Sequence, residues 1–299
     1  MKIIHIPLFS RFISLKSQLG YNIKKCKVKK QKVILDYCVE FDNDHYKVCN
    51  KLIENINKYP NNTVAVKLSG LGLNTFNEDI TDNYCNKIIK EGIKNNVKIL
   101  IDAENSNLHK SIHNISDNLL TKYNTDKTHV YKTYQMYRRD SYIHLISDID
   151  MYKINKKKLG IKLVRGAYYK QEKRDGHLYN SIIDTHDNYN NSIEMLFFKN
   201  YHNDINIKDV IFATHNKNSI NLVKKNMKMH NIHNNSNIST SDINFASLMG
   251  MSEKLSHNLS YDEKYTVYKY IPFGPITKTL PYLSRRLYEN YNILKYINN

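Results

Sequence analysis

The sequence predicts an α/β fold: a (β/α)8 TIM-type barrel, distorted, with a final helix over its C-terminal rim. Three observations lead there. Short β-branched runs alternate with longer helical stretches eight times over. The runs are apolar almost throughout, as strands buried on both faces of a parallel sheet must be. The chain has 299 residues, and a barrel of this kind uses about 250. No GxGxxG follows the first strand, which weighs against an open dinucleotide-binding sheet.

The elements follow in order. "KVILDY" (Lys32 to Tyr37) reads as the first strand, and "DHYKVCNKLIENINKY" after it has the three-and-four apolar spacing of a helix. "TVAVKLS" is the second strand, and "NEDITDNYCNKIIKEGIKNN" a helix with acid in its first turn, where the helix dipole favours it. "VKILIDAE", "HVYKTYQ", "IKLVRGAY", "VIFATHN", "INFASLM" and "TVYKYIPFG" supply the other six strands, with helical patterns between them. Functional residues of such barrels gather at the C-terminal strand ends. Those ends carry Asp36, Lys67, Asp102 with Glu104, Gln135, Arg165 with Tyr168, His215 with Asn216, Ser247 and Tyr270. An aspartate after a strand is by itself most often a helix cap, so it is the concentration of polar groups at one rim that points to a site.

The last helix carries "PYLSRRLYEN". Tyr282, Arg285, Arg286 and Glu289 fall at i, i+3, i+4 and i+7 and share one face, while Leu280, Leu283 and Leu287 lie on another. On an average surface helix this pattern is solvated charge. After the eighth strand of a barrel, two adjacent guanidiniums form a clamp for a carboxylate or phosphate.

Charge and cysteines narrow the rest. Nine of the 45 basic residues precede Asp36 with no acid among them, so about half of the net charge of +17 belongs to that stretch. Residues 1–28 are therefore expected to be a basic targeting segment of the mitochondrial kind, disordered or cleaved, ahead of a barrel domain over 30–297. No run of about 18 apolar residues is present, so no spanning helix is expected. Cys26, Cys38, Cys49 and Cys85 show no CxxC pairing and read as reduced or buried thiols. His109 and His113 have the i,i+4 spacing of a helical zinc pair, and His230 and His233 are near neighbours. No third ligand is placed for either, so surface histidines and no metal are expected. Nucleic-acid binding, suggested by charge and 24 tyrosines, lacks a stacking motif or basic recognition helix and is not expected.

The ordered set "ILDYCVE", "VKLS", "IDAE", "TYQMY", "KLVRGAYYKQE", "FATHN", "LMGMSE", "YKYIPFGP" and "YLSRRLYEN" resembles the proline dehydrogenase (proline oxidase) family over about residues 31–290. The resemblance implies a distorted barrel that holds FAD without covalent attachment. It implies oxidation of L-proline to Δ1-pyrroline-5-carboxylate, with hydride passing from the ring carbon to flavin N5 and electrons to a quinone. This is the first step of proline catabolism. By the same carry-over, Arg285, Arg286 and Lys67 grip the proline carboxylate, with Glu289 orienting the arginines. Tyr270, Tyr282 and Leu163 wall the ring with Tyr168 close by, and Asp102 and Asp36 sit near the lysine and the substrate. The flavin contacts Gln135, Lys162, Arg165, the Gly166–Ala167 backbone, Thr214, His215, Asn216 and Ser247. Ser247 stands where the family often has Gln, Lys162 where bacterial members have Arg, and Phe273 where Tyr or Val is commoner. The length leaves no room for the aldehyde dehydrogenase domain of bifunctional members, so a monofunctional enzyme is expected. It is expected at the matrix face of the inner mitochondrial membrane, in peripheral contact with it. The alternatives are oxidation of 4-hydroxyproline and a non-catalytic barrel. Tyr270 favours proline, because a smaller residue there is associated with accepting the hydroxyl.

Overall fold

The computed structural model describes residues 11–74, 78–174, 176–234, 238–279, 281 and 284. Its strands are β1 (Lys32–Tyr37), β2 (Thr63–Val66), β3 (Lys98–Ile101), β4 (Val130–Gln135), β5 (Gly160–Val164), β6 (Val210–Ala213), β7 (Asn244–Leu248) and β8 (Thr266–Phe273). They close in sequence order into one parallel barrel. Seven fall within the runs read from the sequence, and β5 begins one residue before its run, at Gly160. The helices used below are α1 (Leu19–Val28), α2 (His45–Lys58), α3 (Glu78–Lys94), α4 (His109–Tyr123), α5 (Ser141–Ile154), α6 (Ile182–Tyr201), α7 (Lys217–Asn234) and α8 (Glu253–His257).

Strand side chains alternate between two cores. One layer inside the barrel is Ile34, Ala65, Leu100, Tyr131, Ile211, Ala246 and Tyr268. β5 contributes Gly160 at this level, and a Cβ there would lie 2.4 Å from the Val130 carbonyl oxygen and 3.0 Å from the Tyr131 ring. Only glycine leaves room for that ring beside its neighbouring strand. The other parity (Leu35, Val66, Ile101, Leu163, Phe212, Phe245 and their like) packs between the barrel and its helices. The helices are fixed by local chemistry: Asp44 caps α2 by accepting from the Lys47 amide at 2.9 Å, and Ser181 caps α6 by accepting from the Asp184 amide at 3.0 Å.

The N-terminal expectation is corrected for residues 11–28. Phe12, Ile13 and Ser14 are buried, as are Leu19, Ile23 and Cys26 of α1. Ser14 bridges in parallel to Phe273 of β8 and its amide donates to the Pro272 carbonyl at 2.8 Å. Leu19, Ile23 and Cys26 lie at i, i+4 and i+7, one helical face, so this basic stretch is part of the packed barrel. Residues 1–10 lie outside the described residues. All four cysteines are free and buried.

Candidate active site

Two residues above the apolar interior layer, the same inward parity turns ionic. Asp36 follows Ile34, Lys67 follows Ala65, Asp102 follows Leu100, Lys162 follows Gly160, and Tyr270 follows Tyr268. They form one chain of contacts. The Lys67 ammonium donates to Asp36 Oδ1 and lies 3.5 Å from Asp102 Oδ2. Lys162 Nζ donates to Asp102 Oδ1 at 2.6 Å, and the Tyr270 hydroxyl donates to Asp102 Oδ2. The two ammoniums lie 6.0 and 5.0 Å from the Tyr270 ring centroid, close enough for the ring's negative face to attract them. Asp36, Lys67, Asp102 and Lys162 are all buried. Burial alone would raise the Asp102 carboxyl. The Lys162 and Lys67 cations and the hydrogen bonds from Lys162 and Tyr270 outweigh it and hold it down at about 2. Two cations and two anions thus share one buried chain of contacts. Each depends on its neighbour for compensation.

A third carboxylate sits beside this chain. Glu104 accepts from the Ser69 amide at 3.0 Å and from the Ser69 hydroxyl. Burial pushes its carboxyl up to about 7, with Glu40 adding to the rise, while the Ser69 bonds and Lys67 offset part of it. Gln135 ties the rim together: its amide nitrogen donates to the Glu104 carbonyl at 3.1 Å, and its amide oxygen accepts from the Ala167 N–H at 3.2 Å. Gly166 has φ +138°, and a Cβ there would meet the Tyr137 ring at 2.3 Å, so this glycine admits the tyrosine. Tyr168 is buried and its hydroxyl donates to Glu40 at 3.3 Å.

Arg165 is held by neutral acceptors. Its Nε donates to His186 Nδ1 at 2.8 Å, Nη1 to the Thr214 hydroxyl at 2.9 Å and Nη2 to the Ser219 hydroxyl at 2.7 Å, with the guanidinium 4.3 Å above the Tyr189 ring. Asn216 opens α7, its side-chain oxygen accepting from the Asn218 and Ser219 amides at 2.9 and 3.3 Å. His215 is pushed down to about 4 by burial, then by Arg165 and Lys269, and is neutral at pH 7.

Two expected site residues are elsewhere. Leu163 has the opposite parity to Lys162 and lies in the outer core, so it does not wall the barrel interior. Ser247 likewise alternates outward from Ala246. Its hydroxyl meets Ser256 and accepts from Lys269 Nζ, both at 3.0 Å. With Thr214, His215, Leu255 and Val267 it borders a cavity of only about 10 Å³. The buried Lys269 also donates to the Met251 carbonyl and pairs with Glu253 at 3.1 Å, an anchor for α8. Arg285, Arg286, Glu289 and Tyr282 lie outside the described residues. Sequence reasoning missed the groups that hold its own candidates: Ser69, Glu40, His186 and Ser219. None is at a strand end. Their only sequence signal is that Ser69 closes "VKLS" and Glu40 closes "ILDYCVE", two of the quoted motifs.

Residues 15–299 match the family described as proline dehydrogenase. The chain belongs to the proline dehydrogenase family. It is similar to proline dehydrogenase 1, mitochondrial, of Dictyostelium discoideum, 36% identical over 217 residues that cover 70% of this chain and 37% of that protein. The Drosophila melanogaster protein of the same name is 33% identical over 224 residues, 71% of this chain and 32% of that one. The chain thus spans about a third of the length of these curated relatives. In fold it is similar to proline utilization A from Bdellovibrio bacteriovorus, with TM-score 0.82 and 19% identity, covering 95% of this chain and 33% of that one. The proline dehydrogenase match begins at residue 15, so it takes in α1, which the sequence reading had set apart as a targeting segment.

Proposed function

We propose that this chain is an FAD-dependent proline dehydrogenase that oxidises L-proline to Δ1-pyrroline-5-carboxylate and passes the electrons to a quinone. The observation that carries the reading is the Asp36–Lys67–Asp102–Lys162–Tyr270 chain at the barrel mouth of a protein in this family. Lys67 and Lys162 bring fixed positive charge to a site that must receive a zwitterion. Arg285 and Arg286 add planar forks suited to its carboxylate. Asp102 fixes the Tyr270 hydroxyl, so the tyrosine ring stands as a rigid wall for the pyrrolidine. Cations near the carboxylate also lower the pKa of the substrate's ammonium, which must lose its proton before the adjacent C–H bond can give up hydride.

The residues fit a dinucleotide. Arg165 and the Asn216-capped start of α7 place a guanidinium and a helix N-terminus side by side above β5 and β6, a pairing that suits a diphosphate. Gln135, the Gly166–Ala167 backbone, Thr214 and neutral His215 line the same rim as hydrogen-bonding groups. FAD held by these groups would supply the two-electron acceptor for the hydride that leaves the ring carbon next to nitrogen. Lys162 and Arg165 stabilise negative charge that develops beside them. Most of the rate comes from orientation and fixed charge.

Mitochondrial residence is supported by relatives named as mitochondrial. No described helix is long and apolar enough to cross a membrane; the contact with a quinone pool proposed here is a peripheral one. Oxidation of 4-hydroxyproline is the second reading, since a hydroxyproline dehydrogenase of Xenopus laevis is also 29% similar in identity. Tyr270, anchored on Asp102, fills the space a hydroxyl needs.

The test is anaerobic titration of the purified full chain with L-proline and separately with 4-hydroxyproline, following loss of the flavin band. Arg285→Met and Arg286→Met are expected to keep flavin and fold. Each should lose roughly 2–4 kcal/mol of transition-state binding, about 30- to 1000-fold in kcat/KM. Lys278→Met, whose exposed ammonium lies 3.4 Å from Asp42, should change little. A colourless protein that FAD does not reconstitute, or arginine variants at wild-type efficiency, would overturn the reading.

A further inference from the structure

On the outside of the barrel, above β3 and β4, three histidines converge. His109 and His113 are one turn apart on α4, and His144 is in the first turn of α5. One ligand nitrogen from each lies within 4.8 Å of the others. Ring centroids are 4.2 Å apart for His109 and His113, 5.6 Å for His113 and His144, and 6.0 Å for His109 and His144. His109 Nε2 and His144 Nδ1 are buried and have no hydrogen-bond partner. Two unsatisfied ring nitrogens in one part-buried cluster are costly unless something binds them. The i,i+4 pair alone carried no such meaning. The third imidazole, brought by the packing of α5 on α4, changes it.

Two basic groups are near, and both are spoken for. Arg138 forks onto Asp140 at 3.0 and 2.8 Å, and Lys132 is shared between Asp117 and Asp148, at 2.7 Å from each. Burial, with Arg138 and Lys132 adding to it, keeps His109 and His113 unprotonated at neutral pH, so their lone pairs are on offer. The His113 ring also stands edge-on to Tyr134 at 6.1 Å, which limits its rotation.

We propose that His109, His113 and His144 form a three-imidazole site for a divalent transition-metal ion, zinc in the first instance. Neutral imidazoles favour zinc and its later first-row neighbours over calcium or magnesium. Zinc–nitrogen bonds of about 2.0–2.1 Å at tetrahedral angles need nitrogens about 3.4 Å apart, a contraction that side-chain rotation supplies. No fourth His, Cys, Asp or Glu joins the group among the described residues, so water or a small anion completes the shell. The role is structural. α4 follows the segment carrying Asp102 and Glu104, and α5 follows the one carrying Gln135. Arg138 Nη1 already links them by donating to the Ser106 hydroxyl at 3.0 Å. The metal ties the same two segments a second time.

The test uses the tag-free full chain, stripped with chelator, dialysed, and equilibrated with zinc alone. Bound metal is counted by elemental analysis, and melting is followed with and without zinc. One zinc per chain and a zinc-dependent rise in Tm are expected. His113→Gln on α4 and His144→Gln on α5 should each weaken zinc at least tenfold, while His257→Gln, an exposed histidine on α8, should not. Absence of stoichiometric zinc in the wild-type protein at micromolar free metal overturns the proposal. So does undiminished binding in both variants, which would assign the ion to other residues. Circular dichroism checks each variant's fold. Should one misfold, the variant on the other helix and the wild-type measurement decide.

Discussion

Asp102→Asn tests whether the ion chain in the barrel mouth is a coupled unit. The wild-type carboxylate serves three groups: Lys162 at 2.6 Å, the Tyr270 hydroxyl, and Lys67 at 3.5 Å. An amide keeps one acceptor oxygen, so it can still receive from Lys162 with its NH2 turned toward Tyr270 and Lys67. The charge is gone. Lys67 retains Asp36, but Asp102 is the only ion-pair partner of Lys162 among the described residues. Leaving a buried ammonium without its counter-charge costs roughly 3–5 kcal/mol. At about 2 °C per kcal/mol for a domain of this size, Tm should fall by roughly 6–10 °C. Adding Lys162→Met removes the orphaned charge and should restore stability to within about 1 kcal/mol of wild type.

The assay is urea unfolding and thermal melting, with and without added FAD so that cofactor linkage is separated from the ion pair. Asp140→Asn is the comparison: its carboxylate is 35% accessible although Arg138 is buried, so water can partly replace it and its loss should cost less than that of the fully buried Asp102. pH gives a second handle. The Asp102 carboxyl is depressed from 3.8 to about 2 in the folded state. Its contribution is therefore fully present above pH 4 and disappears as pH falls toward 2. The reasoning fails if Asp102→Asn costs no more than Asp140→Asn, or if the double variant is as unstable as the sum of its singles.

Glu104 should produce the opposite pH signature. Its carboxyl is raised from 4.5 to about 7 in the folded protein, so the native state holds the proton longer and stability drops as pH rises through that window. Relative to wild type, Glu104→Gln should gain up to about 3 kcal/mol between pH 4.5 and 8; parallel stability–pH curves would refute this. Deleting residues 1–28 strips Phe12, Ile13, Leu19 and Ile23 from the core. At roughly 1.5–3 kcal/mol per buried side chain, this approaches the whole stability of a typical domain. The truncated protein should be insoluble or unfolded by circular dichroism, and a soluble, cooperatively melting fragment would show that this stretch is dispensable.

What the sequence made legible was height along the barrel axis. A polar residue ending an apolar run had to sit at a strand's C-terminal end, and Asp36, Lys67, Asp102 and Gln135 are all there, whereas Tyr270 lies three residues short of the end of β8. Height does not give the face, and on a strand the face changes with every residue. Counting in twos from Gly160 puts Lys162 inside and Leu163 outside. Counting from Ala246 puts Ser247 outside, beside Lys269. Both misplacements came from reading a motif as a set of ligands when it also contains the residues that pack the strand from behind. The basic N-terminus was misjudged for a related reason. Its charge suggested a tail, yet Leu19, Ile23 and Cys26 already had the spacing of a buried helical face, and burial depends on that face while the lysines between stay in water. The third histidine was of another kind. His144 is far from His113 along the chain, and no local period relates them. Only the packing of α4 against α5 brings the rings together. Chemistry carried within one element could be read from spacing, and chemistry assembled between elements needed the fold.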